Sequence, residues 1–107
     1  MVTRGGMMVM NTADIDELVT LLSDRETDVQ WRAARALGEY GEAALDPLLK
    51  KLYADDINVR ILSIWALGKS GDLRAAEHLE RLVHDENFLI AMASEGAISR
   101  LSGRFKK

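Results

Sequence analysis

The chain has 107 residues, of which 48% are hydrophobic and 29% charged, and this is the composition of one globular domain rather than of a disordered segment. Because it contains no Cys, disulfides, Cys-ligated zinc and thiol catalysis are excluded. Its formal net charge of −3 argues against general nucleic-acid binding, and no apolar run approaches the ~18 residues that a membrane span needs.

Residues 1–12 predict a flexible N-terminal leader. They include "MVTRGGMMVMN", whose apolar stretch Met7–Met10 is shorter than the roughly 7–15 residues of a signal-peptide core. With neither a signal peptide nor a membrane span in the sequence, we expect a cytoplasmic protein.

Two helices are predicted after the leader. Apolar residues recur at helical spacing from Ile15 to Leu22, the polar run "SDRET" interrupts the pattern, and a second apolar series runs from Val29 to Tyr40. Thr27 and Gln30 have the spacing of a capping box at the second helix.

The same two-helix pattern then recurs along the chain. Ala36-Leu37-Gly38 returns as Ala66-Leu67-Gly68, thirty residues later, and Gly41 returns as Gly71. A third, diverged copy carries Ala97-Ile98 and Ser99 in the equivalent places. A fixed period of this length is typical of repeat proteins. We predict one domain at 13–103, with repeats at about 13–41, 43–71 and 73–102 and a C-terminal tail at 104–107.

Local signals mark how these repeats begin and end. Asp46-Pro47 predicts a helix start, with Pro at the first helical position. Gly41 and Gly71 predict left-handed residues at which a helix ends and the chain reverses. The basic Arg60 is expected to reach a turn carboxylate such as Asp24 or Asp55.

Two runs carry a resemblance to a known family. "DVQWRAARALGEYG" and "NVRILSIWALGKSG" resemble the second helix of short HEAT-like repeats of the phycobilisome-lyase type, which have the pattern D-x-x-V-R-x-A-A-x-A-L-G-x-I-G. The resemblance covers about residues 13–103, with Gln30 and Arg32 departing from the pattern. It implies an all-α fold, an α-solenoid of three helical hairpins with six helices, and a scaffold that binds protein partners.

The sequence gives little support for a catalytic site or a metal site. Relatives of the deoxyhypusine hydroxylase type bind iron through His-Glu pairs, but Leu79 follows His78 here and Asp85 follows His84. Glu77, Glu80 and His84 share one helix face, although such a charged face with Arg81 is more often simply solvated. We expect no enzymatic activity, no catalytic residues, no metal site and no cofactor.

The candidate binding surface is formed by outward positions of the second helices, which in this repeat type point to the concave side. Three rows are predicted there: Trp31, Ile61 and Met92; Arg35, Trp65 and Gly96; and Glu39, Lys69 and Arg100. Apolar patches that contain Trp and have charged borders are typical of protein-binding surfaces. We therefore hypothesise that Trp31, Ile61, Trp65 and Met92, with Arg35, Lys69 and Arg100 on the rim, bind a protein partner or a second copy of the chain as a homodimer.

Several alternatives to this hypothesis stay open. The two Trp residues could instead fill gaps between helices, or the Met-rich leader could fold over them. If Ile61 and Trp65 are exposed, replacing both with Ser or Glu should leave melting nearly unchanged. The chain could also be an accessory subunit or enzyme related to HEAT-like chromophore lyases, or a weak nucleic-acid binder that uses its scattered basic residues.

Overall fold

A computed structural model describes residues 12–103, and this range is all-helical, without a β-strand. The helices are α1 (Thr12–Leu21), α2 (Thr27–Tyr40), a 3₁₀ helix (Gly41–Ala44), α3 (Leu45–Lys51), α4 (Ile57–Ser70), α5 (Arg74–Leu82) and α6 (Phe88–Gly103). The all-α prediction is therefore confirmed. The predicted leader, apart from Thr12, and the predicted tail at 104–107 lie outside the described residues.

The helices pack in two layers. The second helix of each pair forms one layer, in which α4 lies between α2 and α6 and contacts both. The first helices form the other layer, in which α3 contacts α1 and α5. Each first helix also packs on its own second helix, so the chain builds the two layers as it proceeds.

The core between the layers is mainly leucine. Leu22, Leu52 and Leu82 follow or end the first helices, and Leu37 and Leu67 lie in the second helices; none is more than 3% exposed. Burial of such side chains stabilises the fold by about 1.5–3 kcal/mol each. The apolar positions that defined the period in the sequence are therefore the positions that hold the two layers together.

Gly41 and Gly71 end α2 and α4 as predicted, although only Gly71 adopts the left-handed helical conformation, since Gly41 has a ψ angle of −126°. Gly41 and Gly71 have φ angles of 64° and 77°, which side chains disfavour. Gly68 faces α6 so closely that a Cβ atom there would lie 2.9 Å from the Cα of Ala97. A Cβ on Gly38 would lie 2.9 Å from the Cδ of Lys69. The repeated Ala-Leu-Gly thus places α2, α4 and α6 in close contact.

Some helix starts differ from the sequence-based predictions. Thr27 does not form the capping box, because α2 begins at that residue and its N-cap is Glu26. The Gln30 side chain instead donates to the backbone carbonyl of Asp24, at 2.6 Å. A 3₁₀ helix precedes α3, so Pro47 is the third residue of the helix rather than the first.

Arg60 also has other partners than those predicted. Its Nε donates to the backbone carbonyl of Leu52 at 2.6 Å, and its Nη2 lies 3.3 Å from the carboxylate of Asp85 in the next repeat. Asp24 and Asp55 were the expected partners, but the guanidinium extends along the stack instead and joins two adjacent repeats.

Candidate protein-binding surface

Two tryptophans meet at the surface of the second-helix layer. The ring centroids of Trp31 on α2 and Trp65 on α4 are 5.4 Å apart, and the ring planes are 86° apart. This edge-to-face geometry is a favourable arrangement for aromatic pairs. Trp31 is 40% exposed, whereas Trp65 is half-buried and packs against the core. The pair therefore has one side on the core and one in solvent.

Local sequence directs these rings outward. Ala33 and Ala34 occupy the buried side of α2, which leaves Trp31 and Arg35 on the opposite, exposed side. An exposed ion pair one turn apart, Asp28 with Arg32 at 3.2 Å, flanks Trp31 on the same helix. On α6, the small residues Ala93, Gly96 and Ala97 leave space beside the larger Trp65 ring.

A groove lies between the aromatic pair and α6. We call it the indole groove; it has a volume of about 310 Å³ and is lined by Trp31, Ile61, Trp65, Ala93, Gly96, Ala97 and Arg100. All of these residues except Arg100 are apolar or lack a side chain. The groove can therefore receive an apolar side chain and, at one edge, a negatively charged group.

Arginines border the indole groove. The guanidinium carbon of Arg100 lies 5.5 Å from the Trp65 ring centroid, within cation–π range. Its Nη2 also donates to the Trp65 carbonyl oxygen at 3.4 Å. Arg35 lines a neighbouring depression with Trp31, Arg32 and Trp65. Across residues 12–103, neither Arg35 nor Arg100 has a carboxylate partner.

The seven residues selected from the sequence do not form a single cluster. Trp31, Ile61, Trp65 and Arg100 line the indole groove, and Arg35 lies beside it. The aliphatic part of Lys69 lies over Gly38, where it fills the contact between α2 and α4. Met92 is 52% exposed on α6 but is not among the lining residues.

Sequence reasoning missed two kinds of residue. The first is the small pair Ala93 and Ala97, which lines the groove on α6. The second is Phe88 with Leu89, which are 72% and 56% exposed at the start of α6. The run "NFLIAM" carried a signal for the latter, because these residues and Met92 lie three and four positions apart on a helix.

The shifted titratable groups lie in turns and between helices rather than in the groove. Hydrogen bonds from Arg74 hold the pKa of Asp72 below its usual value. The backbone amide of Asn87 and, to a smaller extent, Arg60 lower the pKa of Asp85. Burial raises the pKa of Tyr40, and the charge of Asp14 adds to this effect. None of these three groups lines the indole groove.

The described residues form neither a metal site nor a membrane span. Within 12–103, no three His, Cys, Asp or Glu side chains come close enough to hold a metal ion, so Glu77, Glu80 and His84 do not assemble into a site. None of the helices in that range combines the length and apolar character required to cross a membrane.

The fold and its repeated helix pairs define an all-helical repeat protein. The family model of HEAT repeats matches residues 15–99, and the chain belongs to this family. HEAT repeats are commonly protein-interaction scaffolds and are generally non-catalytic. The narrower likeness to the phycobilisome-lyase type stays a prediction. A search of curated proteins found no match.

Proposed function

We propose that this chain is a cytoplasmic, non-enzymatic protein-interaction module, built as an α-solenoid of three helical hairpins over 13–103. It binds its partner through the concave face of the second helices, with the indole groove at the centre. The observation that best supports this proposal is the Trp31–Trp65 pair, which lies at the surface beside an apolar groove.

The energetics of interfaces support this function. Tryptophan and arginine dominate the small set of residues that contribute most binding energy in protein complexes. In the indole groove both residue types lie together, and Trp31 is 40% exposed. Covering that apolar surface with a partner removes it from water, which is favourable by roughly 25 cal/mol for each Å².

The structure changes which residue should be tested. The sequence suggested replacing Ile61 and Trp65 without loss of stability, but both are half-buried and pack against the core. Replacing them will therefore lower stability as well as any binding. Trp31 is the better site, because it is exposed and its removal leaves the central helix α4 intact.

We predict that Trp31→Ala abolishes partner capture with little loss of stability. Loss of a central Trp at an interface typically weakens binding by 2 kcal/mol or more, about thirty-fold. Tyr53→Ala is the matched control, since Tyr53 is an aromatic residue with 61% exposure in the turn after α3, away from the groove. Pull-down from the source organism should identify the partner, and calorimetry with that purified partner should give the two affinities.

Two results would contradict the proposal. One is a partner that binds wild type and Trp31→Ala equally, which would place the binding surface elsewhere. The other is a loss of binding that Tyr53→Ala reproduces, because that would indicate a general effect of surface aromatics. The melting temperature of each variant, followed by circular dichroism, separates lost binding from lost folding.

A further inference from the structure

The charges around the indole groove indicate the chemistry of the partner, provided that the groove is the binding surface proposed above. Arg35 projects from α2 and Arg100 from α6, so the two guanidinium groups come from the helices on either side of α4, which carries Trp65. A third guanidinium, that of Arg32, lines the same depression as Arg35, but Asp28 pairs with it at 3.2 Å.

This positive rim contrasts with the rest of the molecule. The chain has 17 acidic and 14 basic residues, giving a net charge of −3. Three other arginines pair with carboxylates, namely Arg32, Arg60 and Arg74. Arg35 and Arg100 have no carboxylate partner within 12–103, and Glu39, one turn beyond Arg35, lines neither depression. The rim is therefore a local positive region on an acidic protein.

A second copy of the chain fits this region poorly. A two-fold symmetric dimer would place the same patch of each copy against the other. Arg35 and Arg100 of both copies would then share one interface, and like charges placed together at an interface are unfavourable. A partner with negative charge has no such penalty.

We propose that the indole groove binds an acidic peptide segment of the partner protein. One apolar side chain of the segment enters the groove between Trp31, Trp65 and α6. Carboxylates on either side of that anchor bind Arg35 and Arg100, since guanidinium and carboxylate groups form paired, charge-assisted hydrogen bonds. The groove therefore selects a peptide that has one apolar anchor residue and negatively charged residues on both sides of it.

The test uses short random peptides displayed on phage and selected against the full-length wild-type chain. Recovered peptides should carry Asp or Glu on both sides of a single large apolar residue. Synthetic copies should bind about five-fold more weakly to Arg35→Ala and to Arg100→Ala. They should also bind more weakly as NaCl is raised, because salt screens exposed charge pairs.

Arg81→Ala is the matched control, since Arg81 is an exposed arginine on α5 and lines neither depression. Its affinity for the synthetic peptides should equal that of wild type. The Arg35 side chain makes no hydrogen bond to the rest of 12–103, so Arg35→Ala should fold normally even if Arg100→Ala, which loses a contact to the Trp65 carbonyl, is less stable.

The possible outcomes distinguish a failure of the acidic-peptide inference from a failure of the proposed function. Peptides that need Trp31 but show no acidic preference, or that bind both arginine variants normally, overturn the acidic-peptide inference and leave the proposed function standing. Peptides that bind Trp31→Ala as well as wild type, or a selection that returns no binder, overturn both. A wild-type dimer that Trp31→Ala converts to a monomer in light scattering identifies a second copy as the occupant and also overturns the inference.

Discussion

The carboxylate of Asp85 links two repeats. It accepts the backbone amide of Asn87 at 2.8 Å ahead of α6, and it lies 3.3 Å from Nη2 of Arg60 on α4. Both contacts favour the ionised carboxylate, which is why the pKa of Asp85 lies below its ordinary value. The side chain of Asn87 accepts the next amides, from Leu89 and Ile90, and so begins α6.

The lowered pKa of Asp85 predicts how stability depends on pH. A carboxylate with a lowered folded-state pKa contributes stability that is fully present above its unfolded value of about 3.9 and is lost as pH falls through the folded value. Asp85→Asn should therefore be less stable than wild type at neutral pH, and the difference should shrink in acid. The free energy of unfolding of wild type and of Asp85→Asn can be measured by urea unfolding, followed by circular dichroism, at neutral pH and at a pH below the folded-state pKa of Asp85.

Asp55 provides the control for this prediction. It occupies the corresponding turn one repeat earlier and has no hydrogen bond or ion pair to the rest of 12–103. Asp55→Asn should leave the free energy of unfolding nearly unchanged at both pH values. A stability difference for Asp85→Asn that stays constant with pH would show that the loss is steric rather than electrostatic.

Among the elements, α4 carries the closest helix contacts, and the glycines test them. In Gly68→Ala, the new Cβ would lie 2.9 Å from both Cα and Cβ of Ala97, and because one of these atoms is backbone, α4 and α6 must move apart. We expect a loss of about 1–3 kcal/mol in the free energy of unfolding, measured by urea denaturation.

Alanine substitutions at two other glycines provide a comparison for Gly68→Ala. Gly96→Ala places its Cβ in open space, with no atom within 4 Å, so it should be neutral or stabilising by up to about 1 kcal/mol through helix propensity. Gly38→Ala meets the flexible side chain of Lys69, and its effect should fall between the two. If all three variants changed the free energy of unfolding by the same amount, close contact between helices would not be the cause, because a Cβ at Gly96 meets no neighbouring atom.

The sequence was sufficient to predict the second helices and their stacking. The apolar period and the repeated Ala-Leu-Gly depend on local spacing, and that spacing places Leu37 and Leu67 in the core. The start of α3 could not be predicted in the same way, because the 3₁₀ helix Gly41–Ala44 leads directly into α3, which begins at Leu45 rather than after a cap at Asp46. Local propensity alone does not distinguish these two tight turns.

The binding surface was predicted only in part, because the burial of its side chains depends on tertiary contacts between helices. Trp31 and Trp65 were chosen as exposed apolar residues, yet how far Trp65 is buried depends on the small side chains that α6 places beside it. Those residues lie about thirty positions away in the sequence. Met92 shares the row of Trp31 by period but lies outside the groove lining, which α6 contributes to through Ala93, Gly96, Ala97 and Arg100 instead.

At the scale of the whole molecule, stability depends on contacts between neighbouring repeats. The middle helix α4 buries Val59, Leu62, Ile64 and Leu67, and it contacts α2 on one side and α6 on the other. A helix that is apolar on nearly all sides requires cover on all of them. In repeat proteins, the interface with the next repeat supplies much of that cover.

We therefore predict that a chain ending at Gly71 does not fold cooperatively. Without α5 and α6, the α4 surface around Gly68 and Leu67 faces water. The truncated chain should show less helix per residue, bind a hydrophobic dye and melt over a broad range, whereas the full chain should unfold in one transition. A truncated chain with the same sharp transition would show that two repeats are self-sufficient.

The pairing of Trp31 with Trp65 gives the protein an intrinsic optical probe. They are the two tryptophans of the entire sequence, and both line the indole groove. The near-ultraviolet emission of the protein therefore comes mainly from this one location. A ligand that enters the groove, or a carboxylate that draws Arg100 away from the Trp65 ring, changes the surroundings of the emitting indoles. Occupancy can be followed in the unlabelled wild-type chain, with no dye to alter the surface being measured.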